Sequence, residues 1–136
     1  MYGVALDTPL YFHNIGNVKP SDIVLALGAL AQESRLTVFR LLVKRGPSGF
    51  TPGDLAEKLE IPGPTLSFHL KELQRANLVI ARREGRFLYY SANFEAMNEV
   101  LTYLTENCCT LAPEQCATDC PPARPKAATS KRSKRA

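Results

Sequence analysis

Residues 54–90 constrain the fold more than any other part of the chain. Apolar residues recur at helical spacing on both sides of the Ile61-Pro62-Gly63-Pro64 segment, which is typical of a tight turn. Residues 78–90 follow almost without a gap and read as a β-hairpin, with Glu84-Gly85 as its turn. The stretch therefore predicts two short helices joined by a turn and followed directly by a hairpin.

Apolar residues at helical spacing predict three more helices outside this stretch. Their expected bounds and apolar stripes are about Ser21–Leu30 with Ile23, Leu27 and Leu30, roughly Glu33–Lys44 with Leu36, Phe39 and Val43, and a helix starting near Asn93 with Phe94, Met97, Leu101 and Leu104. Ser21 or Asp22, Gln32 or Ser34, and Asn93 can cap these helices. The expected fold class is mainly α with a small β-hairpin.

The length and charge of the chain divide it into four parts. A chain of 136 residues supports one compact domain plus tails. We expect an N-terminal arm at 1–19, a folded domain at 20–106, a cysteine-rich segment at 107–120 and a disordered basic tail at 121–136. The tail carries six basic residues and no acidic one, which leaves 11 basic and 13 acidic residues in 1–120. A nucleic-acid surface on the folded part must therefore be a local patch.

The sequence shows neither the pattern of a membrane-spanning segment nor that of a signal peptide. Nothing approaches the roughly 18 consecutive apolar residues of a membrane span. The first residues lack the basic-then-apolar layout of a signal peptide. These observations predict a cytoplasmic protein with no membrane partner.

A local basic patch lies between Lys71 and Arg86, where five basic and two acidic residues give a charge of +3. The second helix of the pair begins with small and polar residues, so its N-terminal end can enter a major groove. Arginines around the hairpin turn can reach phosphates or a minor groove. A solvated helical hairpin is the competing interpretation, but the hairpin directly after the helix favours DNA binding. The expected DNA contacts are Gly63, Pro64, Thr65, Ser67, Phe68, His69, Lys71, Arg75, Arg82, Arg83 and Arg86.

Two aromatic residues of this helix allow more than one interpretation. Phe68 falls on the outward face, where it could contact a thymine methyl group or be partly buried against the hairpin or a neighbouring helix. His69 falls on the flank between the two faces, where it could be a structural hydrogen-bonding residue or contact a phosphate.

Four segments together resemble the ArsR/SmtB family of bacterial metal-responsive repressors over about residues 20–106. They are Leu30-Ala31-Gln32-Glu33-Ser34-Arg35-Leu36, Pro64-Thr65-Leu66-Ser67-Phe68-His69-Leu70, Ala76-Asn77-Leu78-Val79 and Arg83-Glu84-Gly85-Arg86. The resemblance implies a winged helix-turn-helix of five helices plus a wing. It also implies a homodimer through the first and last helices, bound to double-stranded operator DNA.

The sequence departs from the pattern of this family at two positions. Pro62 stands where the family commonly has a capping Ser or Thr. Asn77 stands where a Gly is common, and the turn there survives because Asn tolerates the left-handed conformation.

All four cysteines lie close together, at positions 108, 109, 116 and 120. In reducing cytosol they should persist as thiols, which select thiophilic ions. Residues 51–59 contain no cysteine and residues 94–106 no histidine, although arsenic and zinc sensors of the family commonly bind their metals there. Similarity to family members with an arsenic triad after the last helix implies As(III), with Sb(III) as an alternative, at Cys108, Cys109 and Cys116, and Cys120 as an optional fourth ligand.

The resulting prediction is an arsenite-responsive repressor that releases operator DNA when As(III) is bound. A tetrahedral Zn or Cd site, a regulatory disulfide and capture of methylarsenite by two thiolates remain alternatives for the same residues. We expect no enzyme and no organic cofactor, because the sequence shows no paired acid and base, nucleophile loop or nucleotide-binding glycine pattern. A helix-turn-helix module used only for protein contacts is a further alternative.

Overall fold

The computed structural model describes residues 18–112 and 114. Its elements in chain order are α1 (Pro20–Leu30), α2 (Glu33–Arg45), α3 (Pro52–Leu59), α4 (Gly63–Arg75), β1 (Val79–Glu84), β2 (Phe87–Ala92) and α5 (Phe94–Thr105). This order confirms the predicted five helices plus a hairpin wing. No helix within the described ranges is long and apolar enough to span a bilayer. The predicted basic tail and most of the predicted arm lie outside the described residues.

Side-chain caps start three of the helices. The side chains of Gln32, Thr51 and Asn93 accept from the backbone N–H groups of Arg35, Asp54 and Ala96. The predicted Ser or Asp cap of α1 is wrong, because Lys19 is the N-cap without a side-chain bond and Pro20 takes the first helical position. Pro62 precedes α4 without a side-chain cap, as the sequence predicted.

The wing is the antiparallel hairpin of β1 and β2. Glu84 pairs with Phe87, so the turn consists of Gly85 and Arg86, and the predicted Glu84-Gly85 turn is one residue too early. Gly85 has a φ of 60°, as expected for glycine at the first central position of a two-residue hairpin turn. Arg86 therefore sits in the turn itself.

The core forms where α4 packs against α2 and α3. The predicted inward residues Leu66, Leu70 and Leu73 are only 0–2% exposed. In α2 the expected stripe was wrong at Leu36 and Val43, which are exposed. The predicted Phe39 is buried, and because the helix packs against α4 and also against β2, its buried face is completed by Val38 and Leu42.

The stripe predicted for α1 is also only partly buried. Ile23 is buried as expected, but Leu27 is exposed, and Ala26 is buried in its place. Leu30 is half-buried. A small residue therefore faces the core at this point, while larger apolar side chains of α1 face outward.

The loop between α2 and α3 pairs with the wing through a single β-bridge residue, Phe50. Phe50 and Tyr90 exchange backbone hydrogen bonds of 2.9 and 2.8 Å. Gly49 has a φ of 72°, and a Cβ atom there would lie 2.5 Å from the Tyr90 carbonyl oxygen. Only glycine fits this position, so the close approach of loop and wing depends on it.

A buried asparagine joins the end of α4 to the start of α5. Asn93 is 2% exposed, and its Nδ2 donates to the carbonyl oxygen of Asn77 at 2.9 Å. The same side chain accepts from the N–H of Ala96 at 3.2 Å through Oδ1. Asn77 has a φ of 62°, which confirms that this residue carries the left-handed turn after α4.

Candidate nucleic-acid interface and thiol pair

The outward face of α4 carries most of the small and polar side chains that the sequence predicted. Its buried leucines fix the rotation of the helix, so the opposite side faces solvent. The first turn contains no acidic residue, and the positive end of the helix dipole is therefore open to a phosphate. The exposed residues on this side are Gly63, Pro64, Thr65, Ser67, Phe68, Lys71 and Arg75.

Phe68 is 55% exposed, which separates its two interpretations. Within the described part of the chain its one ring contact is an edge-on approach to His69, with ring centres 5.9 Å apart. More than half of the residue therefore stays exposed, and Phe68 is not among the apolar residues packed against the core of the described part of the chain. Its position fits an apolar contact with a base edge.

His69 is only 7% exposed, although its ring lies beside that of Phe68. The expected flank position is therefore wrong. Burial, and secondarily the positive charge of Arg35 on α2, lower the pKa of His69, so the ring is neutral at neutral pH. Its Nδ1 is buried and has no hydrogen-bond partner among the described residues. A phosphate contact would require this side chain to leave the core.

The two basic residues of α4 remain accessible. Arg75 forms an ion pair with Glu72 at 3.3 Å, but its side chain is 64% exposed. A surface pair of this kind contributes little and exchanges readily for another anion. Lys71 is exposed and has no ion pair within the described residues. Both cations can reach a phosphate from the helix surface.

The three wing arginines differ in their surroundings. Arg83 and Arg86 are exposed and make no hydrogen bond or ion pair with any described residue. Arg82 instead donates from Nη1 to the Pro47 carbonyl and from Nη2 to the Ser48 carbonyl, each at 3.1 Å. The sequence predicted all three arginines as DNA contacts. It gave no sign of the partners of Arg82, because these lie more than thirty residues away along the chain.

Phe87 is a wing residue that the sequence reasoning missed. Its side chain is 59% exposed directly after the turn. Its ring leans against Tyr89, with ring centres 6.4 Å apart. Its place at the start of β2, next to Arg86, was the available signal, because an aromatic residue at a hairpin tip has little protein to pack against.

The thiol pair, Cys108 and Cys109, lies in a turn just after α5. The two Sγ atoms are 3.4 Å apart, in contact but well beyond the roughly 2.05 Å of a disulfide bond. Asn107 and Cys109 both have positive φ, 58° and 63°, so the chain turns sharply here. Cys108 is exposed.

The predicted triad cannot be followed further, because Cys116 and Cys120 lie outside the described residues. Within residues 18–112 and 114, no three His, Cys, Asp or Glu side chains come together in a way that could hold a metal ion. The two described thiols can contribute jointly to binding one thiophilic atom.

Comparison with known proteins places this geometry in a family. Residues 30–81 match a family model described as a helix-turn-helix domain. The chain is 38% identical over 81 residues to the arsenical resistance operon repressor of Bacillus subtilis (strain 168), covering 60% of this chain and 73% of that protein. It is 33% identical over 76 residues to the transcriptional repressor SdpR of the same organism, covering 56% and 81%.

A solved structure agrees with these relatives. The ArsR-like transcriptional regulator from Rhodococcus sp. RHA1 has 25% identity and a TM-score of 0.57, over 62% of this chain and 76% of that one. Because these relatives are regulators with DNA-binding domains, the prediction that the chain is not an enzyme is confirmed. Their sequences and the winged helix-turn-helix described above show that the chain belongs to the ArsR/SmtB family of winged-helix transcriptional regulators.

Proposed function

We propose that this protein is an arsenite-responsive transcriptional repressor that binds operator DNA as a homodimer and releases it when As(III) is bound by cysteine thiolates. The observation that carries this proposal is the contact between the Cys108 and Cys109 sulfur atoms at the end of α5. The relative that represses an arsenical resistance operon supports the choice of metalloid.

DNA binding is proposed for the outward face of α4 and the tip of the wing. The start of α4 enters the major groove with Thr65 and Ser67, and Phe68 provides an apolar contact. Lys71, Arg83 and Arg86 neutralise phosphates on either side. Because the acidic residues outnumber the basic ones over residues 1–120, affinity depends on this patch and should fall steeply with salt.

Dimerisation is proposed through the exposed apolar faces of α1 and α5. Val24 and Leu25 on α1 are exposed, and Leu101 and Leu104 on α5 are 53% and 56% exposed. The two helices pack against each other, so their exposed residues belong to one side of the protomer. A second copy would cover this surface and place two α4 helices on one DNA duplex.

As(III) binding is proposed at Cys108, Cys109 and Cys116, with Cys120 as a possible additional ligand. Arsenite requires three sulfur ligands and no fourth. The contacting thiols supply two of them, and the turn at Asn107 and Cys109 already directs both sulfur atoms to one side. Antimonite has similar preferences and is the closest competitor.

The proposed coupling runs through α5. The thiol pair follows the last turn of this helix, and Asn93 at its first turn is bonded to Asn77 behind α4. A change in the direction of α5 would therefore be transmitted to the end of α4, the recognition helix, through this hydrogen bond. A coupling free energy of about 1–3 kcal/mol would be sufficient for release.

The decisive test is a parallel titration of the protein–DNA complex with As(III), Sb(III), Zn(II), Cd(II) and peroxide. We expect release by As(III), loss of that release in Cys108→Ser and its retention in Cys120→Ser. Release by As(III) that persists in Cys108→Ser would refute the triad.

The peroxide arm tests the nearest alternative. Two sulfur atoms in contact can also be oxidised to a disulfide, and this geometry favours a redox-sensing repressor as the second candidate. Release by peroxide without a response to As(III) would establish that function instead. Release by Zn(II) or Cd(II) alone would establish a tetrahedral metal site.

A further inference from the structure

Arg82 crosses the wing and bonds to a loop of the helical body. It stands on β1 opposite Tyr89 of β2, and its guanidinium carbon lies 5.4 Å from the centre of the Tyr89 ring. Beyond that ring it donates one hydrogen bond to Pro47 and one to Ser48, both backbone carbonyls. The side chain thus spans the hairpin from β1 to the loop that precedes α3.

The same loop meets the wing through its backbone. Phe50 and Tyr90 exchange two hydrogen bonds, and Gly49 allows the approach. We call the two backbone bonds and the two Arg82 bonds the wing joint. A two-stranded hairpin alone is marginally stable and needs further contacts, one of which is the bridge at Phe50. The wing joint therefore adds to the packing of β1 on α4 and of β2 on α2 in holding the wing beside α4.

The charge of Arg82 is already partly neutralised. Its Nε is buried without an aligned hydrogen-bond acceptor but lies 2.9 Å from Oε1 of Glu84. Turning this side chain toward a phosphate would break two hydrogen bonds and an ion pair. Arg83 and Arg86 would give up no such partners, because none is present in the described part of the protein.

We infer that Arg82 is a positioning residue, which holds the wing on the α2–α3 loop so that Arg83 and Arg86 are presented to DNA at a fixed place beside α4. It does not itself contact a phosphate. This inference rests on the proposed contact between the wing and DNA, and it removes Arg82 from the expected contacts.

The first measurement follows the joint without DNA. In the full-length protein, the Phe50 and Tyr90 amides are bonded directly across the joint, so their hydrogen exchange reports its opening. We expect Arg82→Ala to accelerate exchange at both amides by about tenfold, because two hydrogen bonds are lost. Arg83→Ala is the matched control, which removes an equal charge from the neighbouring position and should leave this exchange unchanged.

The second measurement follows DNA affinity, with a duplex selected from a random-sequence library by the wild-type protein. Arg82→Lys keeps the charge but loses the planar fork that reaches two carbonyls. We expect it to lose affinity by about as much as Arg82→Ala. Arg83→Ala should also lose affinity, with a fall of about 0.9 in the slope of log K against log salt for one phosphate contact.

Gly49→Ala opens the same joint without removing any charge, because its Cβ atom would collide with the Tyr90 carbonyl. It should reproduce both effects of Arg82→Ala. The double variant should lose little more affinity than either single variant, since both act on one joint.

Three results would overturn the inference. In the first, Arg82→Lys retains full affinity while Arg82→Ala loses it, as expected for a phosphate contact. In the second, exchange at Phe50 and Tyr90 does not change in Arg82→Ala. In the third, exchange rises but DNA affinity stays the same. If Arg83→Ala and the double variant Arg83→Ala/Arg86→Ala also keep full affinity, the proposed wing contact itself fails, and the two failures are thereby distinguished.

Discussion

The recognition helix α4 and the last helix α5 show the same apolar spacing but use it differently. In α4, Leu66, Leu70 and Leu73 are almost completely buried within the protomer. In α5, Leu101 and Leu104 occupy comparable positions in their pattern, yet more than half of each side chain is exposed. The buried residues of α5 are the smaller Ala96 and Val100.

This difference separates residues that build the protomer from residues that the proposed dimer would bury. Large apolar side chains left on one side of a small protein are typical of an interface. The leucines of α4 hold the DNA-reading face in position, whereas the leucines of α5 are available to a partner. Periodicity identifies both helices but does not reveal which apolar face the protomer covers.

The largest expected effect is a loss of stability on shortening a leucine of α4. Leu70→Ala should lower the free energy of unfolding by about 3 kcal/mol, through lost burial and the cavity left behind. Urea denaturation at two protein concentrations checks this, and the loss should be the same at both. Leu104→Ala is the matched substitution on α5. If it lowered the free energy of unfolding equally and independently of protein concentration, the leucines of α4 and α5 would not differ in the way described.

The second largest effect concerns the hydrogen bonds of Asn93, which link the end of α4 to the start of α5. Asn93→Ala removes the cap of α5 and the donor to Asn77, and leaves the partly buried Asn77 carbonyl without that bond. We expect a loss of about 2 kcal/mol in unfolding free energy. Asn98→Ala, at an exposed asparagine of the same helix, should stay within about 0.5 kcal/mol of wild type. Similar losses in the two variants would show that the hydrogen bonds of Asn93 do not stabilise the folded protein.

Local signals accounted for the parts of the fold that could be predicted from the sequence. The caps at Gln32 and Asn93, the left-handed turn at Asn77 and the leucines of α4 depend on neighbours within a few residues. The same kind of signal correctly placed Phe68, Lys71 and Arg75 on the outward face of one helix.

Local sequence signals failed where packing between elements that are distant in the sequence determines which residues are buried. Leu36 and Val43 are exposed because α2 packs on two neighbours at once. His69 is buried where α4 packs against α2, which also brings the charge of Arg35 near it. The carbonyls of Pro47 and Ser48 that hold Arg82 were equally unpredictable, because backbone acceptors carry no sequence signal. The exposed residues of the candidate site were thus predicted from the sequence, whereas the contacts that hold them in position were not.

A smaller effect should appear in dimerisation rather than in folding. Leu104→Ala removes apolar area that the proposed dimer would bury, and we expect the dimer dissociation constant to rise about tenfold. Sedimentation equilibrium measures it. Leu111→Ala serves as the control, since Leu111 is completely exposed beyond the end of α5. An unchanged constant in Leu104→Ala would mean that this face of α5 does not form the interface.

The last prediction concerns a titratable group on the buried side of α4, for which α5 has no counterpart among its buried residues. Burial keeps the pKa of His69 below its ordinary value of 6.5. The unfolded chain therefore binds a proton at higher pH than the folded protein does. Stability is fully present above pH 6.5 and falls as the pH is lowered through that value toward the folded pKa.

The matched variant for this effect is His69→Gln, which has no charge to gain. Urea midpoints measured from neutral to mildly acidic pH should show the stability of wild type falling relative to the variant as the pH drops. A difference between the two proteins that stays constant with pH would mean that His69 is protonated equally in both states. In that case the imidazole would not be as well shielded by α2 and α4 as its burial indicates.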